Sequence, residues 1–97
     1  MSITIHLYYT GKDGSARRFA QEMVESGLAD AVRAEEGCLR YEYFFPMGDP
    51  ETVLLIDRWL DQAALDFHHK SPMMAQIARL RDKYRLRLRT ERYADAP

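Results

Sequence analysis

The chain has 97 residues and a mass of 11.3 kDa, room for one compact domain and none for a second catalytic one. Its residues are 46% hydrophobic and 30% charged, the balance of a folded domain rather than of a disordered tail, a collagen-like chain or a disulfide-stapled one. Fourteen Lys and Arg against fifteen Asp and Glu leave a net charge of −1, which excludes the general basic excess that nucleic-acid binding draws on.

Ile3, Ile5, Leu7 and Tyr9 alternate with Thr4, His6, Tyr8 and Thr10, the period of a strand. Gly11 to Ser15 is turn chemistry with Asp13 or Ser15 available as an N-cap. Phe19, Ala20, Met23, Gly27, Leu28 and Ala31 then recur at helical spacing, which predicts one helix to about Glu35, ending at Gly37. Cys38 to Phe45 reads as a second strand, with Leu39, Tyr41, Tyr43 and Phe45 on one side and Arg40, Glu42 and Phe44 on the other. After a turn at Met47 to Glu51, Thr52 to Trp59 is the most apolar strand, Leu54 and Ile56 on one face and Val53, Leu55 and Trp59 on the other.

Asp61 is placed to cap a helix whose inward stripe is Ala64, Leu65 and His68, with Gln62, Asp66 and His69 pointing away. Ser71-Pro72 stops that helix and starts another, in which Met74, Ile77, Ala78 and Arg81 share a face. Tyr84 to Tyr93 closes the chain as a strand. The order strand, helix, strand, strand, helix, strand over residues 1–97 predicts a single α+β domain of ferredoxin-like βαββαβ plan, a four-stranded antiparallel sheet with helices on one face. The other face is left apolar, and a homodimer formed through the sheets would cover it.

No apolar run approaches the ~20 residues of a membrane span, and the first residues show no secretory signal, so the expected compartment is the cytoplasm. Cys38 has no partner for an internal disulfide, and His6, His68 and His69 do not form a zinc pattern; no metal site is expected. Neither a G-x-G-x-x-G nor a G-x-x-x-x-G-K motif occurs, and Thr52 to Trp59 lacks the aromatic motif of an RNA-binding sheet, so no nucleotide cofactor and no nucleic acid are expected.

Glu35-Glu36-Gly37-Cys38-Leu39-Arg40-Tyr41, Asp49-Pro50, Leu55-Ile56-Asp57-Arg58-Trp59, Ala64-Leu65, His68 and Ser71-Pro72 together resemble the antibiotic biosynthesis monooxygenase family over nearly the whole chain. That resemblance implies a dimeric α+β barrel. Its relatives include cofactor-independent quinol and polyketide monooxygenases, an isomerase of a phosphorylated quorum-sensing signal, and heme-degrading enzymes. The heme-degrading branch has a Trp, a His and an Asn where this chain has His68, about Ala78, and the stretch from His6 to Tyr8. Those departures argue against heme degradation.

His68 is the candidate general base, because an imidazole changes charge near neutral pH and removing a proton from a phenol or enol prepares it for attack on dioxygen. The same position also suits a core histidine bonded to a carbonyl. Trp59, Tyr41, Tyr8, His6 and Leu65 are candidate substrate-binding residues; Tyr43 and Phe45 would share that cavity or serve core and dimer packing, and His6 meets either the pocket or a partner sheet. Asp57 either orients a neighbour or forms an exposed ion pair with Arg58 or Arg40. Arg79 to Arg92 is a basic stripe, read as solvated edge charge or as an anion site.

The expected function is a monooxygenase of a small phenolic, quinol or polyketide-like aromatic substrate, working with dioxygen and without a cofactor. The alternatives are an isomerase of a small phosphorylated carbonyl compound and a dimeric small-molecule binding module without chemistry.

Overall fold

The computed structural model describes residues 1–96. The chain runs β1 (Ile3–Thr10), α1 (Ser15–Glu25), α2 (Leu28–Arg33), β2 (Cys38–Phe44), β3 (Thr52–Trp59), α3 (Gln62–Lys70), α4 (Pro72–Lys83) and β4 (Arg87–Ala94). The four strands form one antiparallel sheet in the order β2-β3-β1-β4. This is the α+β ferredoxin-like arrangement, and the helices cover one face.

Register explains which side chains meet the helices. Ile3, Leu7 and Tyr9 lie opposite Trp59, Leu55 and Val53, so the apolar halves of β1 and β3 coincide on the covered face. Phe19 and Met23 from α1, Val32 from α2, Leu65 from α3 and Ile77 from α4 close over them, all but fully buried. The opposite face carries Tyr8, Phe44, Leu54, Ile56 and Tyr93, none of them buried.

The single helix expected up to Glu35 is two helices. Ser26 caps α1, and Gly27 takes φ 85°, a left-handed conformation that an L side chain enters only at a steric penalty, so the chain turns there before α2 begins. Neither Asp13 nor Ser15 caps α1; Gly14 does, and its N–H donates to Glu51 while the Ser15 hydroxyl accepts from the Lys12 N–H. At the other helix starts the side chains act as expected, with Asp61 accepting from Ala64 N–H and Ser71 from Met73 N–H, and Pro72 sits at the first position of α4.

β2 ends at Phe44, and Phe45 lies outside it beneath the Arg17 guanidinium. The β2–β3 register shifts between Cys38 and Arg40, an irregularity that leaves Leu39 half exposed and turns Cys38, Tyr41 and Tyr43 to the core. Strict alternation would have grouped Leu39 with Tyr41.

β4 starts at Arg87, three residues later than the sequence pattern suggests, because α4 continues to Lys83 and ends in a Schellman turn. Arg85 N–H donates to Asp82 C=O and Leu86 N–H to Arg81 C=O, with Arg85 at φ 53°. A non-glycine residue in that conformation costs on the order of 1 kcal/mol.

Candidate functional site

The site grows from the covered side of β3. Val53, Leu55, Asp57 and Trp59 all project toward the helices, so the two-residue period carries a carboxylic acid into the interior between two large apolar side chains. Asp57 is 4% exposed. Its backbone neighbours across the sheet are Ile5 on β1 and Tyr41 on β2.

Above Trp59 lies α3. Leu65 is fully buried, and one turn further His68 lays its ring over the Trp59 indole, centroids 4.5 Å apart and planes 24° from parallel. His68 is not bonded to a main-chain carbonyl. Its Nδ1 lies 3.0 Å from Glu35 Oε1, and the two side chains are only 5% and 6% exposed.

Glu35 arrives there through a tight turn. Cys38 N–H donates to Glu35 C=O, Leu60 N–H donates to Gly37 C=O, and Gly37 takes φ +83°. A Cβ on Gly37 would stand 2.5 Å from Ala64 Cβ, so only glycine lets the turn press against α3 and bring the carboxylate to the imidazole. Just outside that contact, a groove of about 310 Å³ is lined by Gly37, Leu60, Ala64 and Phe67 among others. Leu60 and Phe67 are well exposed.

Burial dominates the electrostatics of this interior. Burial pushes the Asp57 carboxyl up to about 7, partly offset by the Trp59 indole N–H nearby, although Asp57 Oδ1 and Trp59 Nε1 do not meet in hydrogen-bonding geometry. Burial, reinforced by the Asp57 charge, raises Tyr9 to about 12, and burial raises Tyr41 and Tyr43 well above the usual phenol value. Four buried polar atoms have no partner among the described residues: Glu35 Oε2, Tyr43 Oη, Asp57 Oδ1 and Trp59 Nε1. Native interiors leave few such atoms unpaired. These four belong to the β2–β3 half of the interior and to the turn that feeds β2.

The sequence-derived candidates divide between the two sheet faces. His68, Trp59, Tyr41 and Leu65 come together under α3. His6 and Tyr8 point to the open face, His6 against Tyr93 with ring centroids 5.0 Å apart and Tyr8 beneath the Arg89 guanidinium at 4.1 Å. Neither faces the His68 interior of its own chain. The exposed ion pair considered for Asp57 does not exist either: Arg58 bonds Ser2 and Asp95, and Arg40 bonds Glu42, both on the far side of the sheet. Glu35 went unrecognised as a partner of His68, since a Glu-Glu pair at a helix end reads as solvated charge. Asp57 left a usable signal, its place in the inward phase of β3.

The family pattern of antibiotic biosynthesis monooxygenases matches residues 2–80, which include every member of this buried cluster. The chain belongs to that family. Over 69 residues, 71% of this chain and 70% of the relative, it is 30% identical to YcnE of Bacillus subtilis (strain 168), a protein provisionally named a monooxygenase. A crystal structure from Deinococcus radiodurans, of a protein provisionally assigned as an antibiotic biosynthesis monooxygenase, superimposes with a TM-score of 0.85 at 23% identity, covering 100% of this chain and 94% of that one. SnoaB of Streptomyces nogalater, a cofactor-independent oxygenase solved as a single-residue variant, superimposes with a TM-score of 0.82 at 12% identity, covering 99% and 94%. These structures establish a shared fold. Among the described residues no helix is long and apolar enough to cross a membrane.

Proposed function

We propose that this family member is a monooxygenase that acts on a small phenolic, quinol or polyketide-like aromatic compound with dioxygen and without a cofactor. The observation that carries the reading is the buried Glu35–His68 pair stacked on Trp59. A carboxylate accepting from Nδ1–H holds the imidazole in the tautomer whose Nε2 is a free acceptor, the form a general base needs. The substrate ring approaches in this reading from the groove beside the Gly37 turn, where Leu60 and Phe67 offer apolar surface.

In this reading His68 takes the phenolic proton, and the electron-rich ring carbon bonds one oxygen atom of dioxygen. Collapse of the resulting hydroperoxide turns a ring CH2 (in its enol form a phenol) into C=O and releases the second oxygen as water, so the substrate supplies all four electrons that reduce dioxygen. Asp57 in its protonated form and the Trp59 N–H offer hydrogen bonds to the anionic oxygens that form on the way. SnoaB, of the same fold, is described as cofactor-independent, which supports an oxygenase of this kind over a phosphorylated-substrate isomerase. No cation pairs with Glu35 or His68 among the described residues to hold a phosphate there.

Oxygen uptake on a panel of hydroquinones, naphthols and flavonoids tests this reading. At least one substrate should consume oxygen in metal-chelated buffer at a rate proportional to protein. Ligand-induced stabilisation without any uptake would favour the binding module.

The same reading includes a homodimer, typical of the family, in which a second copy covers Tyr8, Leu54, Ile56 and Tyr93. An interface of this kind buries more than ~1,200 Å². Light scattering at micromolar concentration should give twice 11.3 kDa, and a dilution-independent monomer would remove the dimer.

A further inference from the structure

The cations of this chain are not spread evenly. A cleft of about 680 Å³ at the end of β1 is lined by Lys12, Arg18, Lys83, Arg85 and Arg87, with Asp13 as the one acidic side chain on its wall. The whole chain carries a net charge of −1, so this is local segregation of charge. Thr10 of the cleft pairs with Thr52, whereas Ile3 pairs with Trp59 at the other end of the same ladder. Seven residue steps along the strand separate them, roughly 23 Å at the rise of a strand. The cleft is therefore distinct from the His68 interior.

We propose that this cleft binds a small molecule bearing a phosphate or pyrophosphate group, recognised by Arg85 and Arg87 together with Lys12. Two of the five cations already have partners: Lys83 bonds Glu22 at 2.8 Å, and Arg18 donates to the Asp13 carbonyl at 2.8 Å. Lys12, Arg85 and Arg87 have no carboxylate partner among the described residues. Guanidinium forks match phosphate oxygens two at a time, and a cleft of this volume has the size of a small-molecule site.

Arg85 provides an independent mark. It occupies the left-handed position of the α4 Schellman turn, φ 53°, where glycine is the favoured residue. A strained arginine whose side chain lines a cationic cleft is the pattern of a residue kept for what it binds. Stability and binding should then respond in opposite directions to Arg85→Gly.

Calorimetric titration with inorganic pyrophosphate, at constant ionic strength, tests the proposal. Saturable binding of one pyrophosphate per chain is expected, with ADP competing for the same site and affinity about 10-fold weaker in Arg85→Gly, the loss of one charge-assisted contact. Arg85→Gly should melt higher than the parent protein, which separates lost contact from lost fold. Arg87→Gln, which leaves the turn untouched, should weaken binding similarly, and His68→Asn should leave it unchanged. Parent-level affinity retained in both arginine variants, or no saturable heat, would overturn the site. A single-stranded oligonucleotide binding far more tightly than pyrophosphate or ADP would overturn the small-molecule assignment.

Discussion

His68→Ala should lower the rate of oxygen uptake by roughly 10²-fold, the scale of losing a positioned general base. His69→Ala should change it little, because His69 lies on the exposed side of α3 although its ring is 5.7 Å from that of His68. Alanine also strips Glu35 of its partner inside the fold, and an unsatisfied buried carboxylate destabilises by on the order of 1–3 kcal/mol. His68→Asn separates the two effects: the asparagine amide N–H can still donate to Glu35 Oε1, while nothing replaces Nε2. Full activity in His68→Asn would take His68 out of the chemistry and leave it a core residue. If Glu35 acts by setting the tautomer, Glu35→Gln should slow uptake about 10-fold with Tm nearly unchanged.

The largest expected effect on stability comes from Asp57. Its carboxyl sits at about 7 in the folded chain against 3.8 when exposed, so between those values the folded state holds a proton that the unfolded state has released. Stability therefore falls as pH rises through that window and levels off above about 7, the sign opposite to that of an ion-paired aspartate. The fall should be on the order of 2–4 kcal/mol. Glu22, Asp49 and Asp95 work the other way. Hydrogen bonds from Lys83 and Tyr84, from Thr52, and from Ser2 hold their carboxyls below the usual range, so their contribution disappears only as pH falls below about 4. Urea unfolding from pH 4 to 8 should show the parent protein weakening toward alkaline pH and Asp57→Asn nearly flat. Parallel curves for the two proteins would mean that Asp57 is ionised, or solvated, in the fold.

Much of this architecture was legible in the sequence because it rests on local rules. Alternation located β1 and β3, and Ser71-Pro72 and Asp61 fixed two helix starts through capping chemistry. What escaped depends on conformations that a residue name does not reveal. Gly27 and Arg85 both adopt left-handed φ, one dividing a helix that reads as continuous and the other delaying β4. The irregularity at Leu39 reversed a face assignment that alternation alone could not correct.

In the site, the inward stripe of α3 placed Leu65 and His68 correctly. Trp59 and Tyr41 followed from strand phase. For His6 and Tyr8 the sequence leaves the pocket and a partner sheet both open, because alternation tells which residues share a face, not which face the helices cover; both lie on the open face. Glu35 could not be paired with His68 from spacing, since 33 residues separate them and the contact depends on Gly37 touching Ala64.

The most direct test of the oxygenase reading is isotopic. A substrate that supports oxygen uptake should be turned over under ¹⁸O₂ in chelated buffer and the product weighed by mass spectrometry. One labelled oxygen per product molecule, with the label absent when the reaction is run in H₂¹⁸O under ordinary dioxygen with rapid work-up, is the expected result. Product free of label under ¹⁸O₂, with hydrogen peroxide formed in its place, would show electron transfer without oxygen insertion and contradict the assignment.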